Sequence, residues 1–505
     1  MSGNLMRLRL RALGEPKLLF GNGKTAIDPR VALAKHGPVD LRTGHVKPIR
    51  LGLVAPKSEI NPILKWFGRL DSLLVDSANN ALRFPNFPGS SQALGCRFEI
   101  EPSLTRPIPE KDLQLAMAMS GPDKFERLLE LYSEIIGGLS GDGGPMCVIV
   151  GFPEEIAELR MQNVRLSFAE QQSLKTRQRE ADDLQMSLFD SLAEKEKSAA
   201  AELFPQAEEL LYRNFHRALK ARCMAPRNAV PLQIVRRHTY ITDEAKQNDA
   251  IRAWNLAVAL YYKSSNIPWQ PADLSAGSCF IGISFHHLKR RGGDILYASL
   301  AQAFSTDTEP FALQGETLPD RQIRDKQPYL LASQAENIVR KVVHQYRTRT
   351  GTMPSRVVIH KSSLYQPEEV EGFNSGCGSQ VPSCDMIWMK PTGFRLLRKG
   401  DKEVERGMLA NVEDQKLYLF TTGYVDWWKE YPGPHIPAPL EIGAATKADM
   451  VQSAQEIMSL TKMNWNSADG MGRHPITLSF ARQVGAVMTE IDDEREINPL
   501  YRFYM

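Results

Sequence analysis

Short apolar runs bounded by turn residues recur along the chain and predict buried strands. The clearest are PMCVIVGFP, SCFIGISF and SRVVIHKS, whose β-branched residues and shortness favour strands over helices. Longer stretches with apolar residues every three or four positions, NDAIRAWNLAVALYYKS and AENIVRKVVHQYRTRTG, predict amphipathic helices. Because strands and helices alternate in this way, the sequence predicts an α/β fold.

The length and the outer segments of the chain suggest how it is organised. At 505 residues it is too long for one ordinary core, so we expect two domains with a boundary near residue 270. The first residues, MSGNLMRLRLRALGE, alternate basic and apolar side chains, which predicts an amphipathic strand and not a signal peptide. Residues 160–205 are polar and helix-prone, which is typical of a charged helical insertion.

Composition narrows the class of protein. A hydrophobic content of 42% with 24% charged residues is typical of soluble globular proteins. The six cysteines form no C-x-x-C pair, which favours a reduced cytoplasmic protein without structural zinc. No apolar run approaches the roughly 18 residues that a membrane span requires. We therefore expect no membrane association.

Positive charge is concentrated in one part of the chain. Between Arg213 and Lys263 there are ten Lys or Arg residues against three acids. A basic stripe of this kind suits a polyanion such as a nucleic acid, although a solvated helix face is the alternative.

Four residues in this basic stretch are candidates for binding phosphate. His216 and Lys220 are four positions apart, hence on one helical face, and could hold a phosphate by charge-assisted hydrogen bonds. Each also has an ordinary explanation as a basic helix surface. Gln233 could be an outward residue at a strand edge, and Lys263 could complement a helix dipole. The segment FGNGKT lacks the first glycine of a phosphate loop, so it predicts a turn.

Two predicted strands end in small polar residues. SCFIGISF delivers Ser284 and SRVVIHKS delivers Ser362 to the point where each strand meets a loop. A two-metal nuclease needs clustered carboxylates at such strand ends, because Mg²⁺ prefers hard oxygen ligands. Neither strand supplies one.

Several blocks of the sequence together resemble a short prokaryotic Argonaute, in which a MID domain precedes a PIWI domain. The resemblance implies a Rossmann-like MID domain over residues 1–268, with an amino-terminal extension, and an RNase H-like PIWI domain over residues 269–505. The blocks that carry it, in the family's order, are EPKLLFGNGKTAIDPRVALAKHGPVD, CVIVGFPEEI, SCFIGISF, SRVVIHKS, LYLFTTGYV, PAPLEI and LTKMNWNSADGMGRHPITLSFARQVG.

The resemblance also implies a binding pocket for the 5′ phosphate of a guide strand. His216, Lys220, Gln233 and Lys263 match the family's phosphate-binding pattern in order. A Mg²⁺ ion in such a pocket is held partly by the C-terminal carboxylate, which would here be that of Met505.

At the positions that are catalytic in slicing Argonautes, the chain carries residues that cannot support metal-dependent cleavage. Ser284 and Ser362 stand where carboxylates are expected, and Arg482 stands where the last Asp or His is expected. Serine and arginine neither neutralise two cations nor activate water. The resemblance therefore implies an inactive PIWI domain, and the protein is not expected to be an enzyme.

The function implied is that of a guide-dependent sensor. It would bind a guide RNA and recognise complementary single-stranded DNA without cleaving it. Its output would come from a partner protein that contains an APAZ region and carries a TIR or sirtuin-like NAD-consuming effector. Activation of that effector would defend a cell against plasmids or phage by abortive infection.

Two other functions are compatible with parts of the sequence. A guide-directed nuclease could use non-standard carboxylates such as Asp294, Glu316 or Asp385. A Rossmann-type nucleotide-binding enzyme has little support, because no G-x-G-x-x-G follows a strand.

Overall fold

The fold is seen in a computed structural model. It describes residues 7–41, 46–76, 78, 80–141, 143–162, 212–224, 229–241, 247–289, 295–318, 322–324, 327–397, 399–400, 402–433, 436–491 and 498–505. The charged insertion predicted near residues 160–205 lies almost entirely outside the described residues.

Within these residues strands and helices alternate as the sequence predicts, and none of the helices is long and apolar enough to cross a membrane. The strands are β1 (Leu8–Ala12), β2 (Leu18–Leu19), β3 (Thr25–Ala26), β4 (Lys47–Pro56), β5 (Cys96–Ile108), β6 (Cys147–Phe152), β7 (Arg160–Gln162), β8 (Tyr212–Asn214), β9 (Leu232–Arg236), β10 (Gln270–Pro271), β11 (Ser278–Lys289), β12 (Ile295–Phe304), β13 (Phe311–Leu318), β14 (Ile323–Arg324), β15 (Gln327–Pro328), β16 (Arg356–Lys361), β17 (Ser383–Pro391), β18 (Met408–Val412), β19 (Lys416–Leu419) and β20 (Leu440–Ala444). The helices are α1 (Pro29–His36), α2 (Lys57–Gly68), α3 (Ser90–Leu94), α4 (Glu110–Ala118), α5 (Gly121–Gly137), α6 (Glu154–Ala157), α7 (Phe215–Cys223), α8 (Arg237–Tyr240), α9 (Asp249–Lys263), α10 (Ala332–Thr350), α11 (Pro367–Cys377), α12 (Met450–Leu460) and α13 (Ile476–Met488).

The first unit is built on a four-stranded parallel sheet in the order β5-β4-β6-β9. Strand β6 is buried at every position, which explains its continuous apolar sequence. Helix α2 packs on one face of the sheet, while α5 and α7 pack on the other. Parallel strands with helices on both faces form the doubly wound, Rossmann-like arrangement that was predicted.

The second unit is built on a nine-stranded mixed sheet in the order β1-β18-β19-β20-β17-β16-β11-β12-β13. Its central strands β11, β16 and β17 are parallel. Helices α10 and α11 cover one face of these strands, and α12 and α13 cover the other. This arrangement places the end of β16 beside the middle of β11, where their parallel pairing stops.

The two units share one core, and a strand from the start of the chain joins the sheet of the second unit. Helix α9 is buried along most of its length, in a cluster that contains side chains of both sheets. The amphipathic strand predicted at the amino terminus is confirmed as β1, but it pairs with β18 in the sheet of the second unit. Residues 8–12 therefore belong structurally with residues 269–505, although they precede the first unit in the chain. The segment FGNGKT forms the predicted turn.

Candidate nucleic-acid interface

Helix α7 carries the first two candidate residues, and its ends are well defined. The side chain of Asn214 accepts hydrogen bonds from the backbone N–H groups of His216, at 3.0 Å, and Arg217, at 3.4 Å, which caps the helix. The buried Phe215 and Leu219 hold the helix against the four-stranded sheet. His216 and Lys220 consequently lie one turn apart on the same side.

The other two candidates meet each other at the start of β9. Lys263 is the last residue of α9, and its Nζ donates to the backbone oxygen of Leu232, at 2.9 Å, and to Oε1 of Gln233, at 2.8 Å. The amide nitrogen of Gln233 donates to the backbone oxygen of Ile234 at 3.1 Å. Gln233 is thus oriented by its neighbours and in turn orients Lys263.

The charges in this region are buried, and no acidic side chain of the described residues pairs with them. Lys220 is 7% exposed and Lys263 2% exposed, and no carboxylate side chain of the described residues forms an ion pair with either. Burial lowers the pKa of Lys263 to about 8. Burial, and then the charge of Lys263, lowers the pKa of Lys220 well below its ordinary value. Burial, followed by the charges of the two lysines, also lowers the pKa of His216 well below its ordinary value.

This electrostatic arrangement favours an anion. Two buried ammonium groups without an acidic side chain beside them cost free energy, and a bound anion would remove much of that cost. His216, Lys220, Gln233 and Lys263 are therefore brought together into one region, which we call the anion pocket.

The last residues of the chain approach the same pocket. Met505 is 4% exposed, and Nζ of Lys220 donates to its backbone oxygen and, at 3.3 Å, to that of Tyr504. The pocket thus offers Mg²⁺ the oxygens of Met505 and Gln233, whereas lysine ammonium groups cannot bind a metal. A Mg²⁺ ion there fits only if water and a bound phosphate supply its other ligands.

Part of the predicted basic stripe is paired with acids in the fold. Several of its arginines bind acids, most of them distant in sequence, so the local count of charges overstates the free positive charge. These pairs are Arg213 with Glu126 and Glu490, Arg236 with Glu158, Arg237 with Glu59, and Arg252 with Asp249. These arginines do not contribute free positive charge, and the buried lysines of the anion pocket are the more specific feature.

Ser284 and Ser362 lie side by side where the parallel pairing of β11 and β16 stops, but only Ser362 follows the end of its strand. Strand β11 continues past Ser284 to Lys289, paired with β12, so the prediction that Ser284 stands where the strand meets a loop is wrong. Strands β11 and β16 are parallel and pair up to Ile283 and Lys361, so each serine is the next residue along its own strand direction. Ser284 Oγ is buried and has no hydrogen-bond partner among the described residues. Across the described parts of the chain, no three His, Cys, Asp or Glu side chains are grouped so as to hold a metal ion.

Helix α13 packs tightly against these strands. A Cβ at Gly282 would lie 2.1 Å from the backbone oxygen of Thr477, so glycine allows the close approach of the helix. The hydroxyl of Thr477 also forms a hydrogen bond of 2.8 Å with Nδ1 of His360. Arg482 lies further along α13, but its side chain is outside the described part of the structure.

Of the alternative carboxylates, Asp385 is not brought to these serines. Asp385 pairs in register with Val358, four residues before Ser362, which is about 13 Å along the strand. Its carboxylate is bound by Arg356 at 2.6 Å, and Arg356 also contacts Glu456. The described residues do not include Asp294, nor the side chain of Glu316.

A polar cavity of about 340 Å³ lies between the end of α12 and α13. Its polar lining residues include Thr461, Asn464, Arg473, His474, Ser479 and Gln483. Gln483 adjoins Arg482 in sequence, so the cavity runs beside the helix that packs on these strands. Sequence analysis did not single out Arg473 or Glu490. No local sequence pattern distinguishes either from an ordinary surface charge.

This combination of a doubly wound sheet, an RNase H-like sheet and a basic pocket between them defines the fold of Argonaute and Piwi proteins. The α/β MID and PIWI architecture is thereby confirmed. Clostridium butyricum Argonaute, solved with a guide DNA and a 19-mer target DNA, is similar with a TM-score of 0.60 and 14% identity, over 97% of this chain and 54% of that one. Drosophila Piwi is similar with a TM-score of 0.59 and 13% identity, over 98% of this chain and 56% of that one.

The likeness is one of fold, because the sequences have diverged far. No protein-family model and no curated protein sequence matches the chain. The chain spans little more than half the length of the Argonaute and Piwi structures that it matches.

Proposed function

We propose that this protein binds a 5′-phosphorylated small guide RNA in the anion pocket and uses it to recognise complementary single-stranded DNA. The observation that carries the proposal is the pair of buried lysines, Lys220 and Lys263, which have no carboxylate partner among the described side chains. A phosphate dianion matches their charge, and His216 and Gln233 would add directional hydrogen bonds. Sequence would be read by base pairing, while the protein holds the strands by their backbones.

A Mg²⁺ ion would fit this proposal as a companion of the phosphate. The backbone oxygen of Met505 and Oε1 of Gln233 would supply ligands, and the guide phosphate and water would supply the remainder. The ion would strengthen phosphate binding by adding positive charge next to the buried lysines.

Beside β11 and β16 the protein would hold the target without cutting it, since Ser284 and Ser362 offer hydroxyls where metal ions need carboxylates. This supports a reader of nucleic acid rather than a nuclease.

The output of such a reader would come from a partner. We propose an APAZ-containing protein with a TIR or sirtuin-like effector, which depletes NAD in the cytoplasm once a plasmid or phage target is paired. The sequence resemblance to short Argonautes supports this assignment.

Guide binding by the purified protein tests the pocket. Lys220→Ala with Lys263→Ala is expected to weaken the binding of a 5′-phosphorylated guide. The loss should be at least tenfold larger than for the same guide with a 5′-hydroxyl, because only the phosphate needs both ammonium groups. Lys24→Ala with Lys65→Ala removes two exposed lysines and equals the change in net charge, so it serves as the matched control. Equal losses for both guides in the pocket variant would reject the phosphate assignment.

Cleavage assays test the absence of slicing. The protein, a guide and a labelled complementary target are incubated with Mg²⁺ or Mn²⁺, and intact target is expected. Target cleavage that disappears in Asp385→Asn, or on replacing Asp294 or Glu316, would establish a nuclease with non-standard carboxylates instead.

A further inference from the structure

The helix that carries two anion-pocket residues begins at a contact with the second unit. Nε of Arg213 donates to Oε2 of Glu490 at 2.7 Å, and the backbone N–H of Asn214 donates to Oε1 of the same carboxylate at 3.3 Å. Asn214 is the residue that caps α7, two positions before His216. Glu490 therefore fixes the backbone at the point where the pocket helix starts.

This contact is buried and selective. The side chain of Glu490 is 2% exposed and that of Arg213 is 7% exposed, whereas Glu126, which also pairs with Arg213, is 47% exposed. The Arg213 guanidinium lies 4.7 Å from the centre of the Phe125 ring, so its position is further restricted by packing. Glu490 supplies the shielded contact to the start of α7, and Glu126 supplies a solvent-screened one from within the first unit.

Glu490 lies two residues after the end of α13, whose other end is fixed to the nine-stranded sheet. Thr477 in its first turn holds His360, and Gly282 admits the helix backbone. Midway, Phe480 packs edge-on against Tyr501 with 3.5 Å between ring centres. Tyr501 opens the turn that leads to Met505, whose backbone oxygen contacts Lys220. Helix α13 thus supports the anion pocket from two sides.

We propose that Glu490 is a positioning residue for the anion pocket, so that the pocket in the first unit takes its binding geometry only when α13 of the second unit holds the start of α7. This inference rests on the proposed function, because it assigns a determinant of guide binding. A supporting hydrogen bond of this kind sets the direction of a binding side chain without touching the ligand. Glu490 touches neither the guide nor the target.

The test compares guides that differ only at the 5′ group. Glu490→Gln is nearly the same size, keeps an acceptor for Asn214 and loses the charge that holds Arg213. It is expected to weaken a 5′-phosphorylated guide about tenfold, the scale on which supporting hydrogen bonds change affinity in other built sites. The 5′-hydroxyl guide should change less than about twofold, since the rest of the strand is bound elsewhere. Glu126→Gln, which removes the exposed partner of the same arginine, is the matched control and should leave both affinities within about twofold.

Arg213→Met provides a second route to the same answer, because methionine retains packing on Phe125 but cannot bind Glu490. It is expected to lower the phosphate preference as Glu490→Gln does, with no further loss when the two are combined. A lower melting temperature with an unchanged phosphate preference would overturn the inference, because it would show a merely structural ion pair. An equal effect of Glu126→Gln would also overturn it. If the wild-type protein itself showed no preference for the 5′ phosphate, the proposed function would fail first, and this inference with it.

Discussion

Replacing Lys263 by methionine tests whether the buried charge in the anion pocket lowers the free energy of unfolding. The pKa of Lys263 falls from 10.5 to about 8 because the side chain is buried. At about 1.4 kcal/mol for each tenfold change in proton affinity, a charged Lys263 lowers the free energy of unfolding by about 3 kcal/mol at pH 7. Methionine is similar in size and carries no charge, so it removes this cost.

Methionine also removes two hydrogen bonds, and the sum of the two effects gives the expected magnitude. The acceptors left without Lys263 are the backbone oxygen of Leu232 and Oε1 of Gln233. At about 1 kcal/mol each, their loss leaves Lys263→Met more stable than the wild type by about 1 kcal/mol at pH 7. Relief of Lys220 and His216, whose pKa values Lys263 also lowers, adds in the same direction.

The sign of this difference should change with pH. Because the pKa of Lys263 is lower in the folded than in the unfolded protein, its cost is complete below about pH 8 and disappears as the pH rises towards 10.5. The wild type therefore gains stability relative to the variant over this interval, and the two should be equally stable near about pH 9.

Urea unfolding followed by tryptophan fluorescence, at pH 7.0 and at pH 9.5, measures both free energies. The exposed Lys65→Met is the control and should differ from the wild type by less than about 0.5 kcal/mol at either pH. The reasoning would be refuted if Lys263→Met were already less stable than the wild type at pH 7. It would also be refuted if the difference between their free energies of unfolding did not change with pH. Below about pH 8 the charge of Lys263 destabilises the folded protein most, and a phosphate should bind most tightly there.

Two further predictions concern the support of β11 and β16. Gly282→Ala places a methyl group 2.1 Å from the backbone oxygen of Thr477 and is expected to lower the free energy of unfolding by about 3 kcal/mol, measured by urea unfolding; an unchanged midpoint would show that α13 moves away freely. Glu369→Gln leaves the buried Lys361, which is bound by both oxygens of Glu369 at 2.6 and 2.7 Å, without its counter-charge, and should cost about 3–5 kcal/mol. The exposed Glu368→Gln should cost less than about 1 kcal/mol in the same assay, and equal losses would contradict the importance of burial.

The parts of the molecule that local sequence determines were predictable. SCFIGISF and SRVVIHKS appear as strands because sheet interiors buried on both faces require continuous apolar runs. His216 and Lys220 share a face because helical geometry fixes residues four apart. The place of Gln233 and Lys263 beside each other followed from the resemblance to Argonautes, since 30 residues separate them and no local pattern joins them.

Other features depend on contacts between distant residues, which a single sequence does not record. Glu490 lies 277 residues from Arg213, and neither has a neighbour in sequence that marks it as a partner. The same limit explains the basic stretch, in which a local count includes Arg237 but not its distant acid Glu59. Charge balance is a property of the folded surface, so it could not be read from one window of the chain.

The pairing of β1 with β18 has a consequence for folding during synthesis on the ribosome. Leu8 is synthesised before its partner Val412, which is added 404 positions later. At about 5–20 residues per second, β1 waits roughly 20–80 seconds before its partner strand exists. Its alternation of arginine with leucine keeps this early strand charged during the wait, which opposes pairing with other nascent chains. Strand β1 therefore joins its sheet only after β18 has been synthesised.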